Sequence, residues 1–223
     1  MKARFEEARK RTILLGAIVA CGMATAAPPA SAATFSARET HRGLLIDRAD
    51  GTTGRLVANG SFWRRGEPAL VYREGGVAVA GVWETGPDAA VVRSGTTEKA
   101  AVVGRIVPSW DNGELRLTIE PEGGAAVRTT VFERASGGGT AALDRGTATR
   151  NALEGTYRAT LHATGGADAG WLSVDIDPEG ATRFSGDLPP AIPPALAAAA
   201  AAAVEGEVDF IFRNAVDLSA FRR

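Results

Sequence analysis

The sequence predicts an all-β fold, an antiparallel barrel or sandwich of about eight to eleven strands with one short alanine-rich helix near the C-terminus. Three observations carry this. Turn chemistry recurs at short intervals, at Asp50-Gly51, Gly75-Gly76, Gly86-Pro87, Asn112-Gly113, Gly123-Gly124, Gly165-Gly166 and Pro178-Glu179-Gly180. The segments between these turns are short and either apolar or alternating, which is strand texture. Helical composition is confined to one place, the proline and alanine run over residues 189–204.

The first 32 residues have the zones of a secretory leader. Lys2, Arg4, Arg9, Lys10 and Arg11 outweigh Glu6 and Glu7, an apolar stretch runs from Ile13 to Ala27, and Ala30-Ser31-Ala32 fits a small-residue cleavage site. Fifteen apolar residues fall short of a stable membrane anchor, and Pro28-Pro29 end any helix there. The expected product is an exported protein, periplasmic or secreted, beginning at Ala33. Cys21 offers an alternative, a lipid-modified cysteine that tethers the protein to a membrane.

The 223 residues less this leader leave 191, enough for one ordinary domain or two small ones. The 25 basic and 26 acidic side chains fall to 20 and 24 once the leader is removed, a net charge of about −4 that argues against nucleic acid as partner. Cys21 is the only cysteine, so the mature chain has no disulfide, thiolate metal site or iron–sulfur cluster. No later stretch has the run of apolar residues that a membrane-spanning helix needs.

Strands are expected, in order, at residues 43–47, 55–63, 69–73, 77–83, 89–93, 102–107, 114–119 and 127–134. Two hairpins stand out. Asn112-Gly113 tolerates positive φ at both positions and joins the run through Trp110 to one in which Leu115, Leu117 and Ile119 alternate with polar residues. Gly75-Gly76 joins residues 69–73 to 77–80 in the same way. A linker or long surface loop is expected over residues 136–155, which divides the chain into an N-terminal β region, 33–135, and a C-terminal one, 156–223.

In the C-terminal region, residues 156–163, 171–177 and 183–188 read as strands, with Leu172, Val174 and Ile176 on the inner face. Pro189-Pro190-Ala191-Ile192-Pro193-Pro194 then leads into seven alanines, Ala197 to Ala203. Proline suits a first helical turn, alanine has the best helix propensity, and Gly206 stands where a helix ends. A helix this short must lie on the sheet or plug a barrel end. Residues 207–212 read as a last strand, with Val208, Phe210 and Phe212 on one face.

Chemistry is sparse. His41 and His162 are the only histidines, far apart and in no metal-ligand spacing. No zinc-peptidase, phosphate-loop, dinucleotide or nucleophile-elbow motif is present. No catalytic residue, metal ligand or cofactor is therefore assigned. Asp175 and Asp177 share a strand face beside Glu179, which suits either solvent-facing acids or a carboxylate-dependent hydrolase. Aromatic residues are the remaining candidates. Trp63, Tyr72, Trp83 and Trp110 fall in the N-terminal β region and are the ligand-binding candidates, because aromatic faces beside arginines such as Arg64 and Arg65 suit apolar or carbohydrate ligands.

The expected function is that of an exported, non-catalytic binding or interaction protein holding a small apolar or carbohydrate ligand. The alternative is a structural or assembly protein of the cell envelope that docks through a sheet edge or through the Pro/Ala-rich segment.

Overall fold

The structure is a computed structural model that describes residues 33–60, 66–84, 89–135 and 141–217. The leader and Trp63 lie outside these residues. Thirteen strands form one antiparallel sheet: β1 (Ala33–Thr40), β2 (Gly43–Arg48), β3 (Thr53–Ala58), β4 (Leu70–Glu74), β5 (Val77–Glu84), β6 (Ala90–Arg93), β7 (Val102–Asp111), β8 (Glu114–Pro121), β9 (Val127–Thr129), β10 (Glu133–Arg134), β11 (Gly155–Ala163), β12 (Asp168–Ile176) and β13 (Thr182–Leu188). β13 pairs with β1, and β9 pairs with β11, so the sheet closes into a 12-strand barrel to which strands from both sides of residues 136–155 contribute. Closure removes the long free edges that an open sheet would present.

Both expected hairpins form. Asn112 and Gly113 have φ of 53° and 89° between β7 and β8, and Gly75 and Gly76 have 54° and 85° between β4 and β5. The side-chain alternation also holds. Leu115, Leu117 and Ile119 are buried, as are Leu172, Val174 and Ile176, while Arg116, Thr118, Ser173 and Asp175 face outward. β1 was not among the expected strands, although Phe35 and Ala37 are buried in alternation with exposed Ser36 and Arg38. The expected strand over 127–134 is broken in two, and both pieces lie along β11. Thr129 sits buried at the break, where its Oγ1 accepts the Leu117 N–H at 2.8 Å.

The C-terminal segment departs most from expectation. A single helix, α2, runs over Pro194–Asn214, 21 residues, straight through Gly206 and through the residues read as a last strand. It threads the lumen. Its side chains pack on β2, β3, β5, β6, β7, β8 and β13, and Ala195 to Ala201 are buried on every side of the helix. Twelve strands at ~4.8 Å spacing and ~40° tilt give a wall radius of roughly 12 Å, wider than inward side chains alone fill. Subtracting the ~2.3 Å helix backbone radius leaves roughly 10 Å, one layer of wall side chains against a helix with almost no side chains of its own. Alanine meets that requirement. At the tightest approach the wall side chain is also removed: a Cβ on Gly104 of β7 would stand 2.8 Å from Leu196 Cδ2 and 2.5 Å from the Glu120 carbonyl oxygen.

The helix enters the lumen at the proximal end, beneath Pro189–Pro193, and leaves at the distal end. There a short helix, α1 (Arg150–Leu153), and the preceding loop pack against it. Val216 N donates to Ala148 O at 2.8 Å and Arg150 stacks on Phe212 at 4.7 Å, so residues 141–153, within the expected linker, form the distal cap. No described helix is long and apolar enough to cross a membrane. The lumen is apolar, and the outer wall carries Arg38, Arg55, Arg73, Arg105, Arg128, Arg158 and Arg183 at outward positions, with Val77 and Val79 exposed on β5.

Candidate functional site

Inside a filled barrel, function needs a place where filling fails. The alanine side of α2 leaves such a place at the distal end, a cavity of about 500 Å³ between the helix and the wall strands β4 to β7. The helix side is Ala199, Ala202, Ala203, Gly206 and Phe210, a stripe at i, i+3, i+4, i+7 and i+11. The wall side is Leu70, Val82, Ala90 and Pro108, with Ala69 and Ala89 from the adjoining loops.

The mouth carries the only charges among the lining residues, Arg145 and Glu207. They are bound to each other, Arg145 Nη2 donating to Glu207 Oε2 at 3.1 Å. The guanidinium also lies 4.3 Å from the Trp110 ring centre and 5.5 Å from that of Phe210. Both are cation–π distances. Arg145 is held by a local turn, in which Asp144 Oδ1 accepts from Gly146 N and Arg145 N donates to Gly113 O. The result is an apolar chamber with a polar latch. No histidine, serine or threonine lines it, and its one carboxylate is spent on the arginine.

The three sequence candidates that lie among the described residues, Tyr72, Trp83 and Trp110, do not converge. Tyr72 points into the lumen and is fully buried beside Gly54, its hydroxyl donating to Glu74 Oε1 at 3.1 Å while Arg48 Nη1 donates to the same oxygen at 2.8 Å. Burial pushes the phenol up to about 12, so it stays protonated and structural. Trp83 faces outward but is only 9% exposed, folded over Gly81, with Arg93 at 5.8 Å from its ring centre. Trp110 is in the lumen at the distal end, under Arg145, and is the candidate nearest the cavity. Trp63 lies outside the described residues.

The other polar candidates act locally. Asp177 Oδ1 accepts from Glu179 N and Ala181 N and so shapes its own turn, and Asp175 accepts from Thr156 Oγ1 at 2.9 Å. Nδ1 of half-exposed His162 lies 3.0 Å from Asp168 Oδ1. No group of three His, Cys, Asp or Glu among the described residues is arranged to hold a metal ion.

A second, smaller cavity of about 320 Å³ lies at the proximal end, between Phe35, Ile46, Leu188 and Ile192, with Arg48 and Asp50 at its edge. Sequence reasoning missed the distal cavity because it stopped the helix at Gly206. Carried through, the helical stripe from Ala199 to Phe210 was readable, whereas Arg145 lay in a segment read as linker. Comparison with protein-family models, with curated proteins and with solved structures finds no match to this chain.

Proposed function

We propose that the protein is an exported, non-catalytic binding protein that holds a small apolar ligand in the distal cavity of the barrel. The observation that carries this reading is the apolar chamber between α2 and β4 to β7, whose volume of about 500 Å³ falls in the range of small-molecule sites. Its walls offer alkyl surface and no hydroxyl or amide side chain, which favours an apolar ligand over a carbohydrate. The ligand enters past Arg145, whose pairing with Glu207 leaves the mouth electrically neutral when empty.

The assembly-protein alternative has less support. The Pro/Ala-rich segment named for docking fills the lumen, and the sheet is closed. Export rests on the leader pattern of residues 1–32, and an intact mass beginning at Ala33 rather than at an acylated Cys21 tests it.

The binding test is titration with the neutral fluorophore N-phenyl-1-naphthylamine, comparing the wild type with Ala203→Leu, which extends a side chain into the chamber. Saturable binding by the wild type and an affinity loss of about tenfold or more in the variant, with unchanged circular dichroism, support the reading. Absence of saturable binding, or equal affinity in the two proteins, overturns it.

A further inference from the structure

We infer that the outer wall of the barrel over β13, β1, β2, β3 and β4 is a binding surface for a flexible anionic polysaccharide. The surface is independent of the lumen cavity. Strand register sets four arginines at one level across neighbouring strands. Arg183 stands opposite Arg38, Arg38 opposite Leu45, Leu45 opposite Arg55, and Arg55 opposite Arg73. Arg38, Arg73 and Arg183 are exposed and Arg55 is half-buried.

Two of these contacts, Arg183 with Arg38 and Arg55 with Arg73, are like charges directly opposed across a strand pair, an arrangement that destabilises a sheet. The protein does little to relieve it. Among the described residues, the Arg38, Arg55 and Arg183 side chains make no ion pair or hydrogen bond, and Arg73 donates only to the Gly76 carbonyl, at 3.0 Å. Three acids stand nearby, Asp175 opposite Arg183, Asp177 lining the same surface cavity as Arg38 and Arg183, and Asp47 two positions along β2 from Leu45, and none is ion-paired to the row. Elsewhere Arg48 is paired with Glu74, Arg116 with Asp111, Arg150 with Asp217 and Arg213 with Asp209. Among the described residues, outward Arg105 and Arg128 make no ion pair either, but their strand neighbours are Val91 and Glu120 for the first and Thr118 and His162 for the second. Among the described strand pairs, only the row sets arginine against arginine.

Geometry selects the partner. Five neighbouring strands of a 12-strand barrel cover a third of its circumference, and at ~4.8 Å per strand the row is roughly 19 Å long on a convex surface. A flat bilayer touches one or two arginines of such an arc, whereas a flexible chain carrying a charge on each unit follows all four. The row holds no aromatic ring on which a base can stack, since Leu45 and Ala78 are the uncharged residues at its level. The guanidinium fork pairs with carboxylate or sulfate oxygens two at a time.

Isothermal titration of the full mature chain with polygalacturonate tests this, against neutral dextran, an oligothymidylate and phosphatidylglycerol vesicles. Three proteins are compared: wild type, a row variant carrying R38T, R55T, R73T and R183T, and a control variant carrying R105T and R128T on the opposite wall. The expected result is salt-sensitive polygalacturonate binding by wild type and control, weakened at least about tenfold in the row variant, with no dextran binding. A second readout guards against a folding artefact. Because the row repels itself, added salt raises the melting temperature of wild type more than that of the row variant. The inference is overturned if polygalacturonate is not bound, if the control variant loses as much affinity as the row variant, or if oligothymidylate or vesicles bind more tightly than polygalacturonate through the same four arginines.

Discussion

Glu205 is the one acid of the lumen helix set against its own kind. It sits on α2 at the distal end, half-buried, and burial raises its carboxyl to about 7, with Glu39 and Asp209 adding to the effect. Below its ordinary value of 4.5 the carboxyl is protonated in both folded and unfolded chains and contributes nothing to pH dependence. Between 4.5 and about 7 the unfolded chain has ionised and the folded one has not. Stability therefore falls across that window, by on the order of 2 kcal/mol, and levels off above it. Glu205→Gln removes the titration: the variant melts at the wild-type temperature near pH 4 and several degrees higher near pH 8. A melting-temperature difference that is independent of pH defeats this account. The residue was legible in the sequence, but its neighbours were not, because Glu39 lies more than 160 residues away and meets it only through the barrel.

At the scale of the element, α2 explains why a run of alanines reads ambiguously. Seven identical small residues carry no face, so their periodicity names neither sheet nor solvent, and the Val208-Asp209-Phe210-Ile211-Phe212 run that follows satisfies a two-residue period. In the protein Val208 and Ile211 are buried three apart while Phe210 is 52% exposed, a helical pattern. The hairpins were legible for the opposite reason: positive φ at Asn112 and at three glycines is a local demand that needs no tertiary context. The packing of α2 makes two alanines of similar appearance respond differently to the same substitution. Ala200 is fully buried against the wall, so Ala200→Leu overpacks and costs about 1–3 kcal/mol. Ala202 borders the distal cavity, so Ala202→Leu fills space and leaves stability unchanged or raised. Denaturant unfolding of the two variants measures the contrast, and equal losses would mean that the cavity is not open to a side chain.

For the whole molecule, the helix is the centre of the core and the wall is its shell. Leu196, Ala198, Ala200, Val204 and Val208 are at or near zero exposure and belong to one buried cluster with the inward residues of the wall. Without them the inward faces of twelve strands have only water to meet. Termination of the chain after Leu188 is thus expected to abolish cooperative unfolding and to give an expanded, dye-binding state rather than an empty barrel. A sharp thermal transition in the truncated protein would show that the wall is self-sufficient. The same arrangement locates the distal cavity, because a thin helix leaves a void wherever the wall side chains are also small, as at Ala69, Ala89 and Ala90.

The sequence by itself determined most of the strands, the two hairpin turns and the inward face where apolar and polar residues alternate, because alternation and turn chemistry are local properties of the chain; it did not show β1, and it read the last turns of α2 as a strand. It also determined that thiol chemistry is absent from residue 33 onward. Only the tertiary structure decided that the sheet closes, that α2 passes through Gly206 into the lumen, and that Arg145 meets Trp110 and Glu207. Those outcomes depend on the radius of a closed ring and on which residues lie across it, quantities set by all twelve strands together.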